Sequence, residues 1–322
     1  MESESDLKQG LQDSSKVTGK VFLIGAGPGD PGLLTLKAAR VLSACDVVVY
    51  DHLVNPEILQ HCRRGSELIY AGKRGGERSI PQQEISSLLI QKARSGQIVG
   101  RLKGGDPFIF GRGGEEALAL AAAGVEWEVI PGISSGVAAA AYAGIPLTHR
   151  HASSSVAFIT GHEGIDKNRS HVDWTSFARA ADTLVIFMCG STISGIAREL
   201  ISGGRPDSTP VALVRWGTYE FQEVYTGSLA DIAATIPSPP SASSSALPAL
   251  IATPALHSSP VTTEPAPADA PTVIKFDAPV IAIVGEPVRL ADSLQWFKHG
   301  TRVDLAQEKS KNHEAEIEAA VV

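Results

Sequence analysis

Cysteine is scarce in this 322-residue chain: Cys45, Cys62 and Cys189 are its only three, far apart and without a C-x-x-C pair. That usage suits a reducing compartment and offers no structural zinc site. An excess of positive charge is missing too, since 28 lysines and arginines face 35 aspartates and glutamates for a net charge of −7. The balance argues against a general nucleic-acid or membrane-surface binder. No apolar run approaches the roughly 18 residues that a membrane span needs. The opening Met1-Glu-Ser-Glu-Ser-Asp6 lacks both the apolar core of a secretory signal and the arginines of a transit peptide. These absences together predict a cytoplasmic protein that binds neither nucleic acid nor membrane. His149, His151 and His162 have no carboxylate or cysteine at a recognisable ligand spacing, so no metal is expected.

What is present is an ordinary globular composition, 43% hydrophobic and 20% charged, long enough for one large or two moderate domains. The stretch that organises it is Arg101-Leu-Lys-Gly-Gly-Asp-Pro-Phe-Ile-Phe-Gly-Arg-Gly-Gly-Glu-Glu116. Ile98 and Val99 lead in as a β-branched run, and Ala117 to Ala123 leave as strong helix formers. Strand, glycine-rich loop and helix in that order hold small ligands at the carboxyl end of an α/β sheet. A phosphate loop wants free backbone N–H donors and no nearby negative charge. This loop carries Asp106 and then Pro107, and Gly25-Ala-Gly-Pro-Gly-Asp-Pro31 repeats the design after Val21-Phe-Leu-Ile24. Two acidic, proline-stiffened loops suit a ligand with hydroxyls and positive charge, a description that S-adenosyl-L-methionine (SAM) meets. A nicotinamide-dependent oxidoreductase is the competing class, but the G-x-G-x-x-G fingerprint would need its third glycine at Asp30.

Taken in order, residues 1–17 are polar and expected to be disordered. Strands are expected at Val21–Ile24, Asp46–Tyr50, Leu68–Ala71 and Val125–Ile130, with helices over Leu33–Leu42, Gln82–Arg94 and Val137–Ala143. Asp51 would then lie at a strand's carboxyl end, or else cap a loop or the helix beginning near Pro56. Gly72–Ser79 sets Lys73, Arg74 and Arg78 on a glycine-rich loop that could meet an anionic substrate or merely face solvent. A second α/β set runs through Ser155–Thr160, Thr183–Met188, a helix over Ile193–Ile201, Val211–Val214 and a hairpin at Tyr219–Gly227. The domain boundary is expected near Gly132, giving an N-terminal domain over 18–132 and a C-terminal one over 133–300. Residues 237–271 hold nine of the twenty prolines and only Glu264 and Asp269 as charges, the composition of a flexible insertion within the second domain. Ala278–Gly285 resumes as a buried strand. Residues 301–322 are charged and read as a tail, a loose helix or disordered.

Five runs in order carry a resemblance: Gly25–Pro31 with Leu33-Leu-Thr-Leu-Lys37, Tyr50-Asp51, Gly72-Lys-Arg74, the 101–116 stretch, and Tyr142-Ala-Gly-Ile-Pro-Leu-Thr-His-Arg150. Together they resemble the uroporphyrinogen-III C-methyltransferases of the tetrapyrrole methylase family, over residues 18–236 and again over 279–297. The resemblance implies two α/β domains with the active site in the cleft between them. It implies SAM as methyl donor, uroporphyrinogen III as substrate, methylation at C2 and C7 to precorrin-2, and a homodimer. Bifunctional relatives carry a fused dehydrogenase/chelatase domain, and a chain of this length is expected to be monofunctional.

The resemblance also assigns residues. Asp51 becomes a proton acceptor and Lys73 a proton donor, while Arg112, oriented by Glu115, binds substrate or serves as an alternative base. Cofactor contacts fall to Pro28, Gly104, Gly105, Asp106, Ile109, Ser134, Ser135, Met188 and Gly217, and Met188 and Arg150 join the substrate site. Cys189 departs from the glycine that many relatives carry there. Within the family a later precorrin methyltransferase or an RNA methyltransferase is the alternative. From another class, a silent tetrapyrrole-binding protein would need the basic loops but not the acidic ones.

Overall fold

The computed structural model describes residues 19–72, 80–162, 172–234 and 279–305. The expected disordered N-terminus, the insertion at 237–271 and residues 306–322 of the tail lie outside the described residues, as do Lys73, Arg74 and Arg78. What is described divides into two compact units, the first ending at Ser134 and the second beginning at Ser135.

The first unit is built on β1 (Lys20–Gly25), β2 (Val47–Tyr50), β3 (Glu67–Tyr70), β4 (Val99–Lys103) and β5 (Glu126–Ile130), in the sheet order β3-β2-β4-β1-β5. Every pairing is parallel, with Val21 flanked by Val99 and Trp127. A parallel sheet must be covered on both faces, and the strands read accordingly as nearly unbroken apolar runs. Alternate residues supply the two faces. Val21, Leu23, Val49 and Val99 pack on Ile85 and Leu89 of α2 (Gln82–Arg94) and Leu120 of α3 (Gly113–Ala122). Ile24, Val48 and Leu102 pack on Leu42 of α1 (Leu36–Leu42) and on Ile58. Burial of such side chains contributes about 1.5–3 kcal/mol each, which makes these two layers the main source of the unit's stability.

The second unit opens with α4 (Ser135–Tyr142) and continues through β6 (Val156–Thr160), α5 (Trp174–Ala180), β7 (Thr183–Phe187), α6 (Ile193–Ser202), β8 (Pro210–Arg215), β9 (Glu223–Ser228) and α7 (Leu229–Ala233). It then adds β10 (Val280–Val284) and β11 (Thr301–Asp304). Its sheet is mixed, in the order β11-β9-β8-β10-β7-β6. β10 lies antiparallel between β7 and β8, so the chain that leaves α7 comes back into the middle of the same sheet.

The tail reading needs correction at its start, because Thr301–Asp304 pairs in parallel with Glu223–Thr226 as an edge strand. Its charges hid it. An edge strand keeps its polar side chains outward while Val303 and the buried Leu305 join the core. Gly300, at φ +85°, makes the turn that admits it.

Candidate active site

The two glycine loops meet. They follow the central neighbours β1 and β4, and Gly27 and Gly105 exchange backbone hydrogen bonds, 3.1 Å from Gly27 N to Gly105 O and 2.7 Å in return. Gly25 and Gly132 pack backbone to backbone behind them: a Cβ on Gly25 would lie 2.5 Å from Gly132 Cα, and one on Gly132 would strike the Gly105 carbonyl oxygen. Only glycine allows that approach. Asp106 completes the clamp, accepting from Phe108 N at 2.8 Å and from Gly132 N at 3.0 Å. Asp30 accepts from Gly32 N at 2.7 Å and caps the single 3-10 turn Pro31–Leu33. The acidic residues that the sequence offered to a cationic ligand are thus engaged with backbone N–H groups and fix the loops. At the carboxyl ends of β1 and β4 the loops also show partly exposed Pro28 and Gly104, beside the half-exposed apolar side chains of Phe108, Ile109 and Phe110.

Asp51 follows β2, the other neighbour of β4, and its N–H donates to Leu102 O. Capping of the Pro56 turn falls to Asn55, which accepts from Glu57 N at 3.0 Å. Asp51 has another partner: Arg101 Nη2 donates to its Oδ1 at 2.6 Å, and Lys103 Nζ stands 3.8 Å from its Oδ2. Behind them Glu116 is fully buried, and its Oε1 accepts from Arg101 Nε at 3.0 Å, Lys103 Nζ at 3.0 Å and Gln82 Nε2 at 2.8 Å. Two cations and two carboxylates balance in the interior. Burial works against the Arg101 charge, but Asp51 and Glu116 outweigh it and raise its pKa. Burial followed by repulsion from Arg101 lowers that of Lys103.

Arg101, Lys103 and Glu116 all lie in the 101–116 stretch, and none of them is assigned a role from the sequence. A signal was available: charges at alternate positions of a strand in the middle of a parallel sheet must point at a buried partner. Period-two placement inside an otherwise apolar run is therefore itself informative.

Arg112 is the N-cap of α3, in the left-handed region at φ 58°. It grips Glu115 with two bonds, Nε to Oε1 at 2.9 Å and Nη2 to Oε2 at 2.7 Å. Its bond to Glu115 raises its pKa and lowers that of the carboxylate, which leaves Arg112 a poor base. Both side chains are exposed and open to a further anion or donor.

In the second unit, Ser135, Met188 and Gly217 come together at one end of the sheet. Gly136 of α4 packs on the Phe187 ring at the end of β7, Met188 comes next, and Gly217 packs on Ala139 of α4 at the end of β8. Ser134, buried, ends the first unit. Met188, at φ 55°, takes the left-handed conformation, and Cys189 after it is fully buried. The buried thiol of Cys189 is pushed up to about 12 by desolvation, so it packs as a small apolar group.

Arg150 stands apart from this group. Its turn, closed by His149 N to Ser153 O, is anchored through Ser153 Oγ to Thr183 at the opposite end of β7. Among the described residues, the non-glycine residues at positive φ are Phe110, Arg112, Met188, Trp216 and Thr218. All of them lie in the loops that follow β4, β7 and β8. Strained backbone of this kind gathers at binding sites, where the surrounding structure holds it in place.

The fold and these loops define a class: an α/β protein that holds a small molecule on backbone-rich loops at the carboxyl ends of its strands. Comparison with known proteins narrows it. The model of the tetrapyrrole (corrin/porphyrin) methylases matches residues 20–233. The uroporphyrinogen-III C-methyltransferase of Priestia megaterium is 47% identical over 214 residues, 66% of this chain and 90% of that protein. The siroheme synthase of Pseudomonas putida is 45% identical over 294 residues, 91% of this chain but 56% of that protein. Among solved structures, the Thermus thermophilus uroporphyrin-III C-methyl transferase complexed with S-adenyl homocysteine aligns at a TM-score of 0.63 and 33% identity, covering 84% of this chain and 94% of that one. The chain belongs to the tetrapyrrole methylase family. It spans about half the length of the siroheme synthases that it matches.

Proposed function

We propose that the chain is a SAM-dependent C-methyltransferase that methylates uroporphyrinogen III at C2 and C7 to give precorrin-2, the precursor of sirohaem and cobalamin. One observation carries the reading: the 47% identity that spans nine-tenths of a uroporphyrinogen-III C-methyltransferase. The loops fit SAM as well. Partly exposed backbone at Gly104, with Pro28 beside it and Ile109 half exposed, suits an adenosyl group that needs backbone contacts and an apolar face, and the buried Gly105, paired with Gly27, holds that loop in place. By the same family reading Asp106, Ser134, Ser135, Met188 and Gly217 join that set.

SAM supplies an activated methyl, so the protein needs no metal and no covalent nucleophile, only placement and exclusion of water. When the pyrrole carbon takes the methyl its ring becomes cationic, and a proton must then leave. Asp51 is the proton acceptor, with one oxygen held by Arg101 and its carboxylate 29% exposed. Arg112, forked onto Glu115, meets a substrate carboxylate, and Lys73 is the proton donor of the family reading. That reading also makes the protein a homodimer in the cytoplasm. Among the described residues no helix is long and apolar enough to cross a membrane.

The test is to incubate the protein with uroporphyrinogen III and methyl-labelled SAM and count methyls by mass. Two added methyls are expected. Calorimetric titration should show S-adenosylhomocysteine binding and NADH not, and NADH binding alone would overturn the reading.

A further inference from the structure

Among the described residues, a charged cluster lies in the first unit's interior, and of its members Lys103 and Glu116 have no part in the reaction as described so far while Arg101 only holds Asp51. Charge is not required of them by the fold. Apolar side chains of similar volume often serve a buried site as well as an ion-pair cluster, or better. Their arrangement is also one-sided. Glu116 is fully buried, Arg101 and Lys103 are nearly so, and only Asp51 reaches solvent, where β2 ends beside the glycine loops. The cluster opens at one atom group, at the carboxyl end of the sheet.

The connections run towards that opening. Glu116 Oε1 gathers Gln82, Arg101 and Lys103. Arg101 gives Nε to Glu116, Nη1 to the carbonyls of Val49 and Leu102 and Nη2 to Asp51 Oδ1, so Glu116 and those two carbonyls together set the plane of the guanidinium that holds Asp51. Lys103 Nζ, at 3.8 Å, is too far from Oδ2 for a hydrogen bond and acts on it as a charge only. The two oxygens of Asp51 are therefore unequal: one is bound and the other is left open.

We propose that Arg101, Lys103 and Glu116 are positioning residues for Asp51, fixing Oδ1 and leaving Oδ2 as the atom that takes the proton. The inference rests on the reading of Asp51 as proton acceptor. In that step the C–H bond of the methylated macrocycle breaks, its electron pair stays on the ring and cancels the cation, and the proton bonds to Oδ2. Arg101 keeps the carboxylate from turning, and Lys103 adjusts how firmly the proton is held. Among the described residues, the charged groups beside Asp51 are Arg101 and Lys103 from β4, with Glu116 of α3 behind them. His52, next in sequence to Asp51, sets its Nδ1 3.3 Å from the hydroxyl of Tyr70 of β3.

The two neighbours of opposite sign give the test a direction. Lys103→Met removes a cation, so the acid limb of the kcat–pH profile should move up by about one pH unit. Glu116→Gln removes an anion and keeps the shape, so that limb should move down, with plateau kcat reduced on the order of tenfold. Lys103→Arg should restore the wild-type profile. Substrate KM and S-adenosylhomocysteine affinity by calorimetry should stay within about twofold, because both side chains are buried.

Folded variants that bind S-adenosylhomocysteine normally and keep the wild-type profile would show the cluster to be structural and overturn the inference. If Glu116→Gln does not fold, Lys103→Met decides alone, since methionine fills the lysine's volume. Absence of methyl transfer by the wild-type protein would instead sink the functional reading itself.

Discussion

At the scale of single residues, the interior charges of the first unit separate roles that look alike in sequence. Asp51→Asn keeps the side chain's size but cannot take a proton. Turnover should fall about 10²–10⁴-fold while SAM affinity holds, measured by initial rates and calorimetry. Arg112→Lys keeps the charge but loses the fork onto Glu115, so substrate KM should rise with kcat changed less. The reverse pattern, a dead Arg112→Lys at saturating substrate beside a normal Asp51→Asn, would exchange the two roles. Glu116→Ala strips two buried cations of their shared acceptor and should cost about 3–5 kcal/mol in denaturant unfolding. Legibility at this scale was uneven. Asp51, Arg112 and Met188 stand in loops and Glu115 in the first turn of α3, where the resemblance points at them. Arg101, Lys103 and Glu116 were passed over because a partner across a sheet layer has no fixed spacing in sequence. The acids of the two Gly-Asp-Pro loops show a related limit of composition, which does not say that Asp30 and Asp106 also accept from backbone N–H groups.

Among elements, strands and helices with strong apolar periodicity were readable. α2 runs over Gln82–Arg94 as expected, and β6, β7, β8 and β10 fall within or beside their expected runs. Two short elements late in the chain were not. α7 carries a capping box in which Ser228 and Asp231 satisfy each other, a usable sign hidden by a five-residue helix. β11 was read as tail because its sequence is mostly polar. Loop contacts lead to two predictions at this scale. Gly132→Ala should separate the paired glycine loops and abolish S-adenosylhomocysteine binding, because its methyl has only backbone to displace. Asp182 accepts from Ser154 N at 2.8 Å and from Ser155 N and Oγ, which tie the turn before β6 to the start of β7. Those bonds, the Ser154 backbone first, hold its carboxyl below the usual range. A depressed carboxylate contributes stability that is present above its unfolded pKa and lost as pH falls through the folded one. Asp182→Asn should therefore lower the melting temperature at pH 7, with a deficit that shrinks below about pH 4.

For the molecule as a whole, the division into two α/β units was legible because two strand-and-helix series flank the Gly132 break. The mixed order of the second sheet was not, since nothing local says that a strand after position 279 belongs between β7 and β8. The Pro/Ser/Ala composition of 237–271 predicts that replacing 238–271 by a short glycine-serine bridge leaves melting temperature and turnover close to wild type. A large fall in melting temperature would count against that.

The central place of β10 also bears on synthesis. Ile281 pairs with both Val214 and Phe187, far back in the chain. The first unit's strands have all left the ribosome by Ile130, whereas the second sheet stays split down its middle until residues near 284 emerge. Translation thus imposes a waiting period in which β7 and β8 expose unpaired inner edges, and a nascent chain stalled before β10 should need a chaperone to hold them apart from other chains.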